Sequence, residues 1–62
     1  MEEKLLKPYK GFNIEKTWEL NLDGTIKKNT ILYTAFGIDD DGLFDADVTL
    51  SGIKKKIDIY VR

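Results

Sequence analysis

The sequence predicts an α+β fold, a three-stranded antiparallel β-meander packed on one C-terminal helix in the order β-β-β-α. Three observations predict it. Apolar and polar residues alternate from Phe12 to Leu20, the period of a half-buried strand. Asp23-Gly24 lies between two alternating segments, a strong short-range hairpin signal. From Thr49 the apolar spacing changes to that of a helix.

The first seven residues, MEEKLLK, carry no strand or helix pattern. Residues 1–8 read as a flexible tail and 9–62 as one domain, with Pro8 and Gly11 bracketing the start of order. In the first strand Phe12, Ile14, Lys16, Trp18 and Leu20 point one way, and Asn13, Glu15, Thr17 and Glu19 the other. Lys16 is a charge in the apolar row, and its stem can pack while its ammonium snorkels past the sheet edge. A two-residue turn at Asp23-Gly24 sets Phe12 opposite Ala35, Ile14 opposite Tyr33 and Glu19 opposite Lys28, a favourable cross-strand pair. A four-residue loop over Asp39–Gly42 then places Gly37 opposite Phe44 and Ala35 opposite Ala46. That register keeps Phe44, Ala46 and Val48 on the face of Phe12, Ile14 and Tyr33. Leu50, Ile53, Ile57, Tyr60 and Val61 form the apolar stripe of the helix, and Asp47 or Thr49 can cap its first turn.

Composition bounds the chemistry. Sixty-two residues make one domain at most, and a chain of that size buries only about 60% of its unfolded surface. No cysteine is present, so no disulfide or zinc–thiolate site is possible, and the absence of histidine removes the commonest general base and transition-metal ligand. The net charge of −1 favours neither nucleic acid nor anionic membrane. No apolar run approaches a membrane span or the core of a signal peptide. These features point to a cytoplasmic domain.

Five aspartates fall within nine positions: Asp39, Asp40, Asp41, Asp45 and Asp47. Gly42 at the glycine position of a calcium loop would put Gly37 at the first ligand position and Val48 at the distal glutamate position, so the loop fails at both ends. Three of the aspartates read as turn formers, and Asp47 suits a helix N-terminus. No metal site or cofactor is expected. Nor is catalysis: no nucleophile–base pair or phosphate loop is present, and one helix on a small sheet seldom encloses a pocket.

The register leaves Leu32, Phe36, Ile38 and Leu43 on the sheet face away from the helix, beside Thr17, Thr30 and Thr34. An antiparallel sheet's open face is normally more polar, and contiguous apolar surface marks interaction sites. These four residues, rimmed by Asp39, Asp40 and Asp41, are the candidate partner-binding surface. Three occupants remain open: a foreign protein, a second copy in a homodimer, or the tail folding over through Leu5 and Leu6. Ile59, opposite the buried stripe, adds a further exposed apolar side chain. The alternative is a nucleic-acid surface built from Lys10, Lys16, Lys27, Lys28 and the run Lys54, Lys55 and Lys56. It requires these lysines to converge, whereas Lys55 and Lys56 point outward around the helix.

At YKGFNIEKTW and LFDADVTLSGIKKKIDIY the chain resembles small open reading frames carried by phages and prophages of Gram-positive bacteria. The resemblance covers most of residues 9–60 and implies an accessory protein that binds a host or phage protein inside the host cell, as anti-CRISPR and other host-takeover inhibitors do. It assigns no residue a role. In architecture alone the chain also resembles the three-stranded DNA-binding domain of transposon integrases. That domain reads DNA with a basic, aromatic sheet face. Here the same face holds Leu32, Phe36 and Ile38 with Glu15, Glu19 and Asp45. A protein-interaction module is the expected function.

Overall fold

The computed structural model describes residues 1–39 and 42–62. It is α+β, with one antiparallel sheet ordered β1-β2-β3-β4 and a C-terminal helix. The strands are β1 (Glu2–Leu5), β2 (Phe12–Trp18), β3 (Leu32–Gly37) and β4 (Leu43–Asp47), and the helix α1 is Leu50–Val61. The expected meander thus gains a fourth strand, formed by the segment read as a tail. Glu2 pairs with Trp18 and Leu5 with Glu15. All four side chains of β1 are exposed, so this strand is held by its backbone ladder and leaves no alternation to read.

A tight turn delivers β1 to β2. Tyr9 and Phe12 exchange both backbone hydrogen bonds, at 2.7 and 3.0 Å, around Lys10 (φ 49°) and Gly11 (φ 87°). Two positive φ angles define the turn whose twist matches a right-handed hairpin. A lysine tolerates this conformation poorly. Here its ammonium is tied to Asp58 of α1 at 2.6 Å. Between the Leu6 N–H to Ile14 O bond and the turn, Lys7 and Pro8 stand against Asn13 alone. Proline, which has no N–H, is suited to such a bulge.

Between β2 and β3 the register is displaced by two residues from expectation: Phe12 lies opposite Gly37, Ile14 opposite Ala35 and Lys16 opposite Tyr33. The cause is a 3₁₀ turn, Lys28–Thr30, inserted before β3. Glu19 N–H donates to Thr30 Oγ1 at 2.9 Å, and Thr30 Oγ1 donates to Lys27 O at 2.6 Å. A shift of two preserves side-chain parity, so the assignment of faces survives. The turn itself is three residues long rather than two, with Asn21 O accepting from Gly24 N–H and Asn21 N–H donating to Thr25 O. Gly24 holds φ 89° there.

The β3–β4 register changes faces. Thr34 lies opposite Ala46 and Ala35 opposite Asp45, then a bulge brings Phe36 opposite Leu43. Gly37 N–H bonds Gly42 O, so the loop begins at Ile38, not Asp39. The bulge turns Phe44 inward, against Phe12 (ring centroids 4.8 Å apart) and Tyr60 (5.1 Å). Ala46 and Val48 leave the core face, contrary to expectation, and Asp45 and Asp47 take their side of the sheet. Both reach Lys56 of α1, at 3.6 and 3.4 Å. Lys56 therefore does not point outward. Its ammonium also donates to Ala46 O at 2.9 Å, while Ala46 N–H donates to Asp45 Oδ1 at 2.7 Å. Both backbone groups of Ala46 on the outer edge of β4 are thus occupied by side chains.

Thr49 caps α1 by accepting from Gly52 N–H at 3.0 Å. Asp47 braces the cap by accepting from Thr49 N–H, and that bond is the main cause holding its carboxyl below the usual carboxylate range. The helix buries Ile53 and Ile57 against Ile14 and Ala35, with Leu6, Tyr9, Phe12, Tyr33, Phe44 and Leu50 packed around them. Each fully buried isoleucine contributes roughly 1.5–3 kcal/mol. Tyr60 and Val61, expected in the stripe, stay 67% and 43% exposed at its C-terminal end, although the Tyr60 ring meets Phe12 and Phe44.

Candidate functional site

The face away from α1 is built from alternate strand residues: Glu3 and Leu5 of β1, Asn13, Glu15 and Thr17 of β2, Leu32, Thr34 and Phe36 of β3, and Leu43 and Ala46 of β4. Three of the expected partner-binding residues, Leu32, Phe36 and Leu43, come together on it. Ile38 lies just past β3 and shares a shallow cleft of about 330 Å³ with Leu43, Phe12, Phe44 and Tyr60. Asp39 also lines this cleft, whereas Asp40 and Asp41 lie outside the described residues. Leu43 is 70% exposed and Leu32 38%. Phe36 is half-buried, flanked by Asn13 and Leu43 on neighbouring strands, so it supports the sheet as well as facing outward.

The tail does not cover this face. Leu6 turns to the helix side and packs on the core, because its pairing with Ile14 gives it Ile14's parity. Leu5 lies on the outer face and is largely exposed. Asp45, expected among the acidic residues here, has moved to the helix side through the β4 bulge. The charges left on the strand residues of the face are Glu3 and Glu15, with no cation among them.

Of the candidate lysines the structure brings Lys10 and Lys54 to one place, against the Tyr9 ring at 5.4 and 5.1 Å, and does not gather the whole set there. Lys10 is engaged by Asp58, and Lys56 by Asp45 and Asp47. Lys16 does not snorkel past an edge, since β1 lies outside β2. Its ammonium sits 5.4 Å from the Trp18 ring centroid and 5.9 Å from that of Tyr33, where the ring faces favour a cation. Lys54 lies over Tyr9 and Lys55 is exposed on the helix. Lys27 and Lys28 stand on the hairpin between β2 and β3.

A second charged cluster joins the β1–β2 turn to α1. Lys10 Nζ and the Tyr9 hydroxyl both donate to Asp58 Oδ1, at 2.6 and 2.9 Å. The Lys10 bond first, then that of Tyr9, holds the Asp58 carboxyl below the usual range, and Asp58 in turn raises Lys10. This charge-assisted cluster latches the turn to the helix. Among the described residues no group of acidic or other metal-binding side chains is arranged to hold an ion, and no helix is long and apolar enough to cross a membrane.

A feature missed in the sequence is an arm. From Glu19 to Asn29 every residue is exposed, yet the segment is ordered by its own hydrogen bonds. Thr25 donates through N–H and Oγ1 to Asp23 Oδ1 at 3.0 and 2.6 Å, Asn21 Nδ2 donates to Thr25 Oγ1 at 2.9 Å, and Lys27 N–H donates to Glu19 O at 2.9 Å. The arm presents Leu20 and Ile26 side by side across a β-bridge, with Leu22 fully exposed near its tip. The readable signal was the polar run Lys27–Thr30, which breaks the alternation before β3. No family model matches the chain, and no curated protein or solved structure matches it.

Proposed function

We propose that the chain is a non-enzymatic protein-interaction module that binds a partner protein through the sheet face turned away from α1. The observation that carries this reading is the exposure of Leu43 beside Phe36 and of Leu32 further along β3 on one face, with neither the helix nor Leu6 covering it. Exposed apolar surface of this kind marks interaction surfaces, and a half-buried aromatic beside Leu43 is a natural anchor. Glu3 and Glu15 on the same face disfavour phosphate contact, which needs clustered positive charge. The resemblance to phage accessory proteins directs the search for a partner to the cytoplasm of a Gram-positive host, where a module of this kind acts as a host-factor inhibitor.

Leu43→Ser is the cleanest probe, because its side chain supports little of the fold. The immobilised chain retains a partner from host lysate, and Leu43→Ser or Leu32→Ser loses it while the melting temperature changes little. Undiminished retention by both variants overturns the assignment of this face.

A further inference from the structure

We infer that the cleft at the end of the sheet takes an arginine side chain of the partner protein, its guanidinium on the Asp39 carboxylate and its stem along the rings of Phe12, Phe44 and Tyr60. The inference rests on reading the neighbouring sheet face as a partner-binding surface and names the chemistry that the partner presents.

The cleft lies where three parts of the chain meet. The β1–β2 turn gives Gly11, the end of β3 and the loop after it give Gly37, Asp39 and Gly42, and the last turn of α1 gives Tyr60. Three of its nine lining residues are glycines, so much of the rim is backbone with no side chain to fill the space. Backbone bonds fix that rim: Ile38 N–H donates to Gly11 O at 3.3 Å and Gly37 N–H to Gly42 O at 2.9 Å. The volume of about 330 Å³ lies at the low end for ligand clefts and suits one long side chain. Leu43 lines the cleft and also stands on the outer sheet face, so the two surfaces are continuous.

The chemistry of the lining selects a cation. Among the described residues Asp39 is the one charged group that lines it, and its carboxylate has no ion pair or side-chain hydrogen bond among them. Lys10, next to Gly11, is held by Asp58, and neither it nor Arg62 lines the cleft. The rings of Phe12, Phe44 and Tyr60 cluster with centroids 4.8, 5.1 and 5.9 Å apart. Tyr60 stays largely exposed, and ring faces attract cations. The last turn of α1 carries no basic residue, so its unpaired carbonyls add partial negative charge at this end of the molecule. Arginine suits such a lining better than lysine, because a planar guanidinium stacks on a ring and grips a carboxylate with two parallel N–H donors. The strand residues of the outer face carry Glu3 and Glu15 and no cation, so a partner surface that presents arginine meets no like charge there.

Titration of the full chain with N-acetyl-arginine amide to about 50 mM, followed at the backbone amides by NMR, tests this, since that range reads a Kd of millimolar order. The amides of Gly11, Gly37, Ile38 and Asp39 shift and saturate. N-acetyl-citrulline amide, of the same shape without the charge, binds at least about tenfold more weakly. Asp39→Asn, at an exposed position, keeps the far-ultraviolet spectrum and weakens arginine binding at least about fivefold. Tyr60→Leu, which keeps an apolar side chain against Phe12 and Phe44, weakens it about threefold. The absence of a saturable shift overturns the inference, as does equal binding of the citrulline derivative or unchanged binding by either variant. If the inference is so overturned while Leu32→Ser, outside the cleft, still abolishes partner retention, the face is a binding surface and only the arginine is refuted. If arginine binds as expected while neither Leu32→Ser nor Leu43→Ser alters retention, the cleft keeps its cation and the reading of the face fails.

Discussion

Ile57 and Ile59 offer a controlled comparison within one helix. They are the same residue type two positions apart, hence about 200° apart around the axis. Ile57 is fully buried against Ile14 and Ala35, whereas Ile59 is 53% exposed. Truncation of isoleucine to alanine removes three carbons, about 0.8 kcal/mol each, or roughly 2.4 kcal/mol of transfer free energy before any cavity is counted. Large-to-small core substitutions span about 2–5 kcal/mol. The neighbours of Ile57 include half-buried residues free to close in, which places Ile57→Ala near about 2.5–3 kcal/mol. A domain of this length has a total stability of only about 3–9 kcal/mol. The loss is therefore about a quarter of the whole or more, and a fall in melting temperature of about 10–25 °C. Ile59→Ala falls within about 0.5 kcal/mol of wild type. Both are measured by thermal and urea unfolding at one fixed protein concentration, because association would shift the midpoints by mass action. Equal costs for the two variants would mean that α1 is rotated on the sheet, and the division of the sheet into a helix face and an open face would fall with it.

Three further outcomes follow from described geometry. Gly24→Val, placed at φ 89°, costs about 1 kcal/mol or more, and urea unfolding at unchanged midpoint would refute the three-residue turn. Thr49→Ala removes the side-chain cap of α1 and costs about 1 kcal/mol, read by the same assay, with Thr49→Ser recovering most of it. Asp58, Asp47 and Asp23 have pKa values lowered in the fold, so the unfolded chain binds protons first. Their contribution is fully present above the unfolded carboxylate range and is lost as pH falls through it toward the folded values. The melting temperature is flat near neutrality and drops below about pH 4. Asp58→Asn makes that drop shallower, and an unchanged acid limb would remove the latch from the account.

The helix was legible because Ile53 and Ile57 must be buried on one side, and β2 because its alternation spans Phe12 to Trp18. The outer face was legible for a less secure reason: a register error of two leaves parity intact, so Leu32 and Phe36 kept their side. An error of one moved Ala46 and Asp45 to the wrong faces, since only the packing of Phe44 against Phe12 and Tyr60 reveals the bulge. β1 was hidden because Glu2–Leu5 buries no side chain, and its turn was hidden because lysine at φ 49° is not a turn signal. The 3₁₀ turn depends on the Thr30 hydroxyl bridging Lys27 and Glu19, a contact that no periodicity encodes.

The occupied backbone groups of Ala46 have a consequence for growth. A sheet that elongates by adding molecule after molecule needs an open edge on both sides of each. Here Lys56 and Asp45 hold the carbonyl and N–H that an incoming strand would require at Ala46, next to the end of β4, while β1 presents an edge rich in charge, Glu2, Glu3 and Lys4. Edge-to-edge joining through β1 would leave the β4 edge of each copy outermost and blocked, so it would end at a pair. A short protein with much exposed apolar surface thereby carries a stop against filaments, built from the same lysine that fastens its helix to the sheet.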